Sequence, residues 1–211
     1  MIFLLLTEGQ YALFAMLLIA IVISLSFHEF GHAFVAKTQG DDTAQRMGRL
    51  TVNPLAHLDW MGLAMVVFVG FGYAKPVPTD PRNFRSRYST LFVAAAGPGV
   101  NLLLAFVCAN LLALMMSAGV QNPGAVYFLQ ILATINLLLM LFNLLPIGPL
   151  DGHYILPYFL PRQMAVGYLQ LNARYGVFAL LALVALAIMR VPVFTALFDF
   201  AQVLLRWLVV I

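Results

Sequence analysis

Apolar runs separated by short polar or charged stretches set the pattern of this chain. Residues 11–36, 89–117, 125–145, 175–189 and 193–211 are continuous or nearly continuous in hydrophobic side chains. A helix needs roughly 20 apolar residues to cross the hydrocarbon core of a bilayer, so the pattern predicts about five spanning helices. The run 175–189 is short for that purpose, and its helix is expected to start further back, toward Tyr168. A sixth run, 60–72, is shorter again and rich in valine and glycine. It reads as a re-entrant loop or β-hairpin near residues 60–79 rather than a crossing.

The basic residues test this division. Lys37, Arg46, Arg49, Lys75, Arg82, Arg85 and Arg87 lie between the first and second runs, the connection 118–124 has no charge, and Arg162 and Arg174 precede the fourth run. Five crossings with the N-terminus outside place all nine in the cytoplasm, as the positive-inside rule requires. Arg190 falls on the other side, in a short turn. If 60–72 crossed, its two basic flanks would face opposite compartments. The re-entrant reading keeps them together.

Composition agrees with a membrane location. The 211 residues are 63% hydrophobic and 9% charged, against about 25% charged in soluble domains. The net charge of +3 reports topology and not nucleic-acid binding. A single cysteine, Cys108, excludes an intramolecular disulfide and any multi-cysteine metal site. No basic residue precedes the first run, so it reads as a retained helix and not a signal peptide. No loop has room for a separate module, and residues 1–211 are expected to form one membrane-embedded domain.

Chemistry enters at residues 28–32, His-Glu-Phe-Gly-His, inside the first run. Two histidines four apart share one helix face and can hold one zinc ion, with Glu29 placed to take a proton from water. Nine residues separate His28 from Lys37, about 13 Å along a helix, and ionisable groups at such depth are expensive unless they have work to do. Zinc needs a third protein ligand. Asp151 is the best placed, because it follows the third run and two prolines and two glycines around it can turn its carboxylate back. His153 is the nearest competitor and Asp59 a weaker one.

The pair of motifs, His28-Glu29-Phe30-Gly31-His32 and N-x-x-P-x-x-x-L-D-G at residues 143–152, resembles the site-2 protease family of intramembrane zinc metalloproteases. The stretches 48–59, 74–78 and 97–101 resemble it too, so the likeness covers about residues 20–155. It implies one zinc held by His28, His32 and Asp151, with Glu29 as catalytic base. It also implies a membrane-protein substrate cut within or near its transmembrane segment. On the same pattern Asn143 and His57 are expected to contact substrate or the oxyanion. The chain looks like the minimal branch, without room for a PDZ domain between catalytic spans or a nucleotide-sensing module after the last helix. The default location is a prokaryotic cell (inner) membrane, with the site toward the cytoplasm.

Other polar groups read as structural. Ala94-Ala95-Ala96-Gly97-Pro98-Gly99 allows close helix packing around a proline break, with Asn101 as a polar partner; Asn136 suits interhelical hydrogen bonding and His153 a supporting role. Residues 66–69 and 75–78 are candidates for a strand edge that receives an unwound substrate. The competing functions are a metal transporter and an inactive membrane scaffold. The first is disfavoured by last spans with almost no polar residues at depth, the second by an intact Glu29.

Overall fold

The computed structural model describes residues 2–70, 72–189 and 191–210, with the side chain of Val193 left aside. The expectation for Arg190 therefore lies outside the described residues. Ten helices follow in order among them: α1 (Leu4–Thr7), α2 (Tyr11–Thr38), α3 (Thr43–Arg46), α4 (Pro54–His57), α5 (Trp60–Val69), α6 (Ser89–Ser117), α7 (Pro123–Asn143), α8 (Asp151–Ile155), α9 (Arg162–Ile188) and α10 (Val193–Leu208). No strand occurs among the described residues.

Among the described residues four helices, α2, α6, α7 and α9, are long and apolar enough to cross a membrane, and the protein is a multi-pass membrane protein. That is one fewer than the five expected. The fifth run folds as α10, whose 16 residues span about 24 Å, less than the roughly 30 Å of the hydrocarbon core. Thr195, Asp199, Gln202 and Arg206 recur along it at helical spacing, so its composition hid a polar stripe. The fourth span begins at Arg162, well before the apolar run that marked it.

The segment 60–72 also differs from a β-hairpin. Residues 60–69 are helical because Asp59 caps them, its carboxylate accepting from the Gly62 N–H at 2.9 Å, and Gly70 closes them at φ 87°. The chain then runs back on its own backbone. A Cβ on Gly62 would collide with the Tyr73 carbonyl, and one on Gly72 with the Gly62 carbonyl. At the base, the Lys75 N–H donates to the His57 carbonyl (2.9 Å) and Arg49 Nη2 to the Lys75 carbonyl (2.5 Å). His57 and Lys75 thus meet at the base, and the 10 residues of α5 span about 15 Å.

α2, α6 and α7 pack on one another, and α10 lies against α6 and α7. Lipid tails are as apolar as leucine, so this packing depends on small side chains and polar contacts rather than on the hydrophobic effect. The buried contacts are accordingly small: Ala20, Cys108 and Ala133 with Leu132, and Ala105 and Ala201 with Leu137 and Met140. At Gly31 an added Cβ would lie 2.8 Å from Val100 Cγ2 and 3.0 Å from the Ala96 carbonyl, so α2 and α6 touch nearly backbone to backbone.

Beyond α2, buried Asp41 ties the polar loops together. Its oxygens accept from the Thr43 N–H (3.0 Å) and hydroxyl (2.5 Å), Asn83 Nδ2 (3.0 Å) and the Asp80 N–H (2.6 Å). Burial raises its pKa, but those donors outweigh burial and hold it below the ordinary 3.8. Asp41→Asn is expected to cost about 3 kcal/mol, because an amide turns a donor toward donors. A depressed folded pKa stabilises above the ordinary value and is lost as pH falls through the folded one. The difference in unfolding temperature between the two proteins should therefore be full above pH 3.8 and shrink below it. Equal unfolding temperatures at neutral pH would refute the role given to Asp41.

Candidate metal centre

The i, i+4 spacing in α2 sets the His28 and His32 rings 4.6 Å apart, with their Nε2 atoms separated by 3.1 Å. Both rings are buried. The His32 Nδ1 lies 2.7 Å from the Val93 carbonyl, which only accepts. His32 therefore carries its proton on Nδ1 and turns the Nε2 lone pair inward. The His28 Nδ1 meets Asn101 Oδ1 at 2.6 Å.

Asp151 arrives from the opposite side. After α7 the chain turns through Pro146 and a cis Gly148–Pro149 bond, and α8 opens at Asp151 against α6. Gly152 sits on the carbonyls of Leu144 and Leu145, where a Cβ has no room. α9 clamps this turn: Asn172 Oδ1 accepts from the Gly148 N–H (2.8 Å), and Asn172 Nδ2 (3.3 Å) and the Tyr168 hydroxyl (3.0 Å) donate to the Pro146 carbonyl. The carboxylate then lies with Oδ2 3.3 Å from His28 Nε2 and Oδ1 3.4 Å from His32 Nε2.

This donor set fits a zinc ion. Ligand atoms about 2.0 Å from a tetrahedral metal lie about 3.3 Å from one another. The two nitrogens are 3.1 Å apart, each lies 3.3–3.4 Å from a different oxygen of Asp151, and one ligand atom from each residue lies within 4.8 Å of the others. Asp151 Oδ2 is buried and has no hydrogen-bond partner, and two imidazole nitrogens facing each other need a cation or a proton between them. Among the described residues, His28, His32 and Asp151 form the one such His/Cys/Asp/Glu cluster.

Glu29 follows His28 and is 8% exposed. Buried Arg49, from the loop between α3 and α4, is close enough to interact with its charge. Gly97 in α6 faces both rings: a Cβ there would stand 2.6 Å from the Cε1 atoms of His28 and His32.

The hydrogen bonds of the other sequence candidates go to other partners. Asn143 Nδ2 donates to the Leu139 carbonyl of its own helix at 2.9 Å. His57 is fully buried in α4, which packs on α2; its Nε2 donates to the Thr51 carbonyl at 2.6 Å, and its Nδ1 has no partner. Asp59 caps α5, and His153 meets the Tyr168 hydroxyl at 3.4 Å, its pKa lowered by burial. Asn101 as the partner of His28, and Tyr168 and Asn172 as the clamp on the Asp151 turn, escaped the sequence reading. For Asn101 a signal existed: it lies one helical turn after Gly97 on the same face of α6.

The profile of Peptidase family M50 matches residues 16–122 and 115–187. The chain is 40% identical over 173 residues to the Bacillus subtilis (strain 168) protein named "Putative zinc metalloprotease YwhC", covering 79% of this chain and 78% of that one. Proteins named "Putative zinc metalloprotease Rip2" are similar as well. That of Mycolicibacterium smegmatis is 31% identical over 63% of this chain and 52% of its own length. That of Mycobacterium tuberculosis (strain H37Rv) is 33% identical over 66% and 55% respectively. No solved structure matches the chain.

Proposed function

Since the chain belongs to peptidase family M50, the site-2 protease family of zinc-dependent proteases, we propose that it hydrolyses peptide bonds within or near transmembrane segments of membrane-protein substrates. One observation carries this reading: two imidazoles inside a membrane-length helix and a carboxylate from a separate turn converge, with one ligand atom from each within 4.8 Å of the others. His28, His32 and Asp151 are the proposed ligands.

Zinc bound there would acidify a water and polarise the scissile carbonyl. Glu29 takes the proton of the attacking water and returns it to the leaving amine, which needs a carboxylate beside the ligands and out of bulk solvent. Asn143 has a second amide N–H besides the one given to Leu139, and His57 has a buried acceptor without a partner. Those spare groups support their roles as substrate or oxyanion contacts. Hydrolysis at this depth also needs water, which we place in a cavity opening on the side where the basic loops gather.

That side is the cytoplasm in our reading, and α5 with its return stretch is a re-entrant excursion from it, supported by the closure of its base at His57 and Lys75. α5 being helical, an unwound substrate has no strand edge at residues 66–69 to pair with. The bacterial relatives support a prokaryotic cell membrane, and the shared packing of α2, α6, α7 and α10 supports one domain.

Metal content tests the ligand set. The purified wild type should hold one zinc per chain by atomic emission. Asp151→Ala should lose more affinity than the roughly 10–100-fold that removing a ligand's own hydrogen-bond partner costs. Full zinc content and unchanged affinity in Asp151→Ala would rule out this centre.

A further inference from the structure

His32 owes its tautomer to a main-chain carbonyl, whereas His28 owes its tautomer to side chains, and those can be followed to their source. Asn136 in α7 donates one amide hydrogen to the Leu132 carbonyl (2.8 Å) and the other to Ser24 Oγ (2.8 Å), whose own hydrogen goes to the Ala20 carbonyl (2.7 Å). Both donors being used, Asn136 Oδ1 must face the other way, and it accepts from Asn101 Nδ2 at 2.7 Å. The second Asn101 amide hydrogen goes to the Ser24 carbonyl at 3.3 Å. Asn101 Oδ1 is then left facing His28 Nδ1 at 2.6 Å, where it can only accept.

We infer that Ser24, Asn136 and Asn101 form a one-way hydrogen-bond relay that fixes His28 with its proton on Nδ1 and its Nε2 lone pair toward the metal. Asn101 and, through it, Asn136 are thus positioning residues for zinc. The direction cannot reverse, because the relay ends on the carbonyls of Ala20, Ser24 and Leu132, which never donate. Nor can water stand in for a member: Ser24, Asn101 and Asn136 are all fully buried. The relay joins three helices, so the state of one ligand depends on how α7 sits against α2 and α6.

The inference rests on the zinc reading of the same site, and magnitudes separate it from ordinary helix packing. Hydrogen bonds between membrane helices are individually weak, so as glue these asparagines would shift stability slightly and leave zinc alone. A group that orients a metal-bound histidine typically controls roughly 10–100-fold in metal affinity.

The test has two readouts, both on the full chain in detergent. Zinc affinity is measured by competition with a chromophoric chelator. The protonated ring nitrogen of His28 is identified by 15N NMR of metal-free, histidine-labelled protein. Wild type should bind zinc and show a proton on Nδ1 of His28. Asn101→Leu should bind roughly 10–100-fold more weakly and lose the single tautomer. Asn136→Leu, which touches no ligand, should weaken binding in the same direction, and Asn101→Asp, which keeps the acceptor, should recover most of the affinity over Asn101→Leu. Zinc bound by Asn101→Leu as tightly as by wild type would overturn the relay. So would a wild-type His28 with no proton on Nδ1, a result that needs no variant to fold. A wild type that binds no zinc at all would instead refute the reading on which the relay rests.

Discussion

Glu29→Gln is expected to lower peptide-bond cleavage roughly 10²–10⁴-fold, the range that a positioned general base contributes, while the protein still holds its zinc. Glutamine preserves the volume of a side chain that is 8% exposed, so packing around the site should stand. What disappears is the capacity to accept a proton. Replacing a buried carboxylate by an amide also removes the cost of holding a charge there, so unfolding temperature should not fall. Cleavage of a single-span substrate and zinc content are the paired measurements. Retained cleavage would remove Glu29 from the chemistry, and loss of zinc together with cleavage would make it a ligand.

The second large effect is expected from one methyl group. Gly97→Ala places a Cβ 2.6 Å from the Cε1 atoms of both His28 and His32 and closer still to His32 Nε2. α6 has little room to retreat, because α7 packs against it as well as α2. The rings must therefore turn, and zinc affinity should fall by more than about 100-fold, beyond the usual effect of losing a supporting hydrogen bond. Overpacking should cost the metal-free protein about 1–3 kcal/mol as well. Gly99→Ala is the internal control. Its Cβ would enter open space in the same helix, so zinc affinity should be unchanged and the helix slightly stabilised. Equal zinc affinity in Gly97→Ala and wild type would contradict the observed packing of α6 on the histidine pair.

The spans α2, α6 and α7 were legible because their hydropathy and their ends coincide: charge follows α2, and Asn122-Pro123 caps α7, with the Asn122 side chain accepting from the Ala125 N–H at 3.1 Å. The start of α9 was not, because Arg162, Gln163, Tyr168, Asn172 and Arg174 interrupt the apolar pattern without interrupting the helix. Some of those residues are polar for a reason invisible in one dimension: Tyr168 and Asn172 hold the Asp151 turn. In α5, valines suggest a strand, while the Asp59 cap and Gly70 carry the signal for a short helix. α10 misled in the opposite way, its hydrophobic content masking a polar residue at every third or fourth position.

The candidate site divides along the same line. His28, Glu29 and His32 are local, and their spacing alone defines a face of one helix. Asp151 could be ranked first from its helix-breaking context, but its competitors were set aside by where the structure puts them: His153 against Tyr168, Asp59 on the α5 cap. Asn101 stands 73 residues from His28 and Asn136 a further 35 along, so a relay through them is a property of packing. A sequence read alone shows three polar residues in apolar helices; their order of donation appears only once the helices meet.

The most direct test of the account is cleavage in a bilayer. The purified chain and a single-span substrate are reconstituted together in vesicles, stripped of metal with a chelator, and then given zinc. The account predicts cleavage that stops on chelation, returns with zinc, cuts within or near the membrane segment, and is absent throughout with Glu29→Gln. Cleavage that persists after complete removal of metal, or that survives in Glu29→Gln, would contradict it.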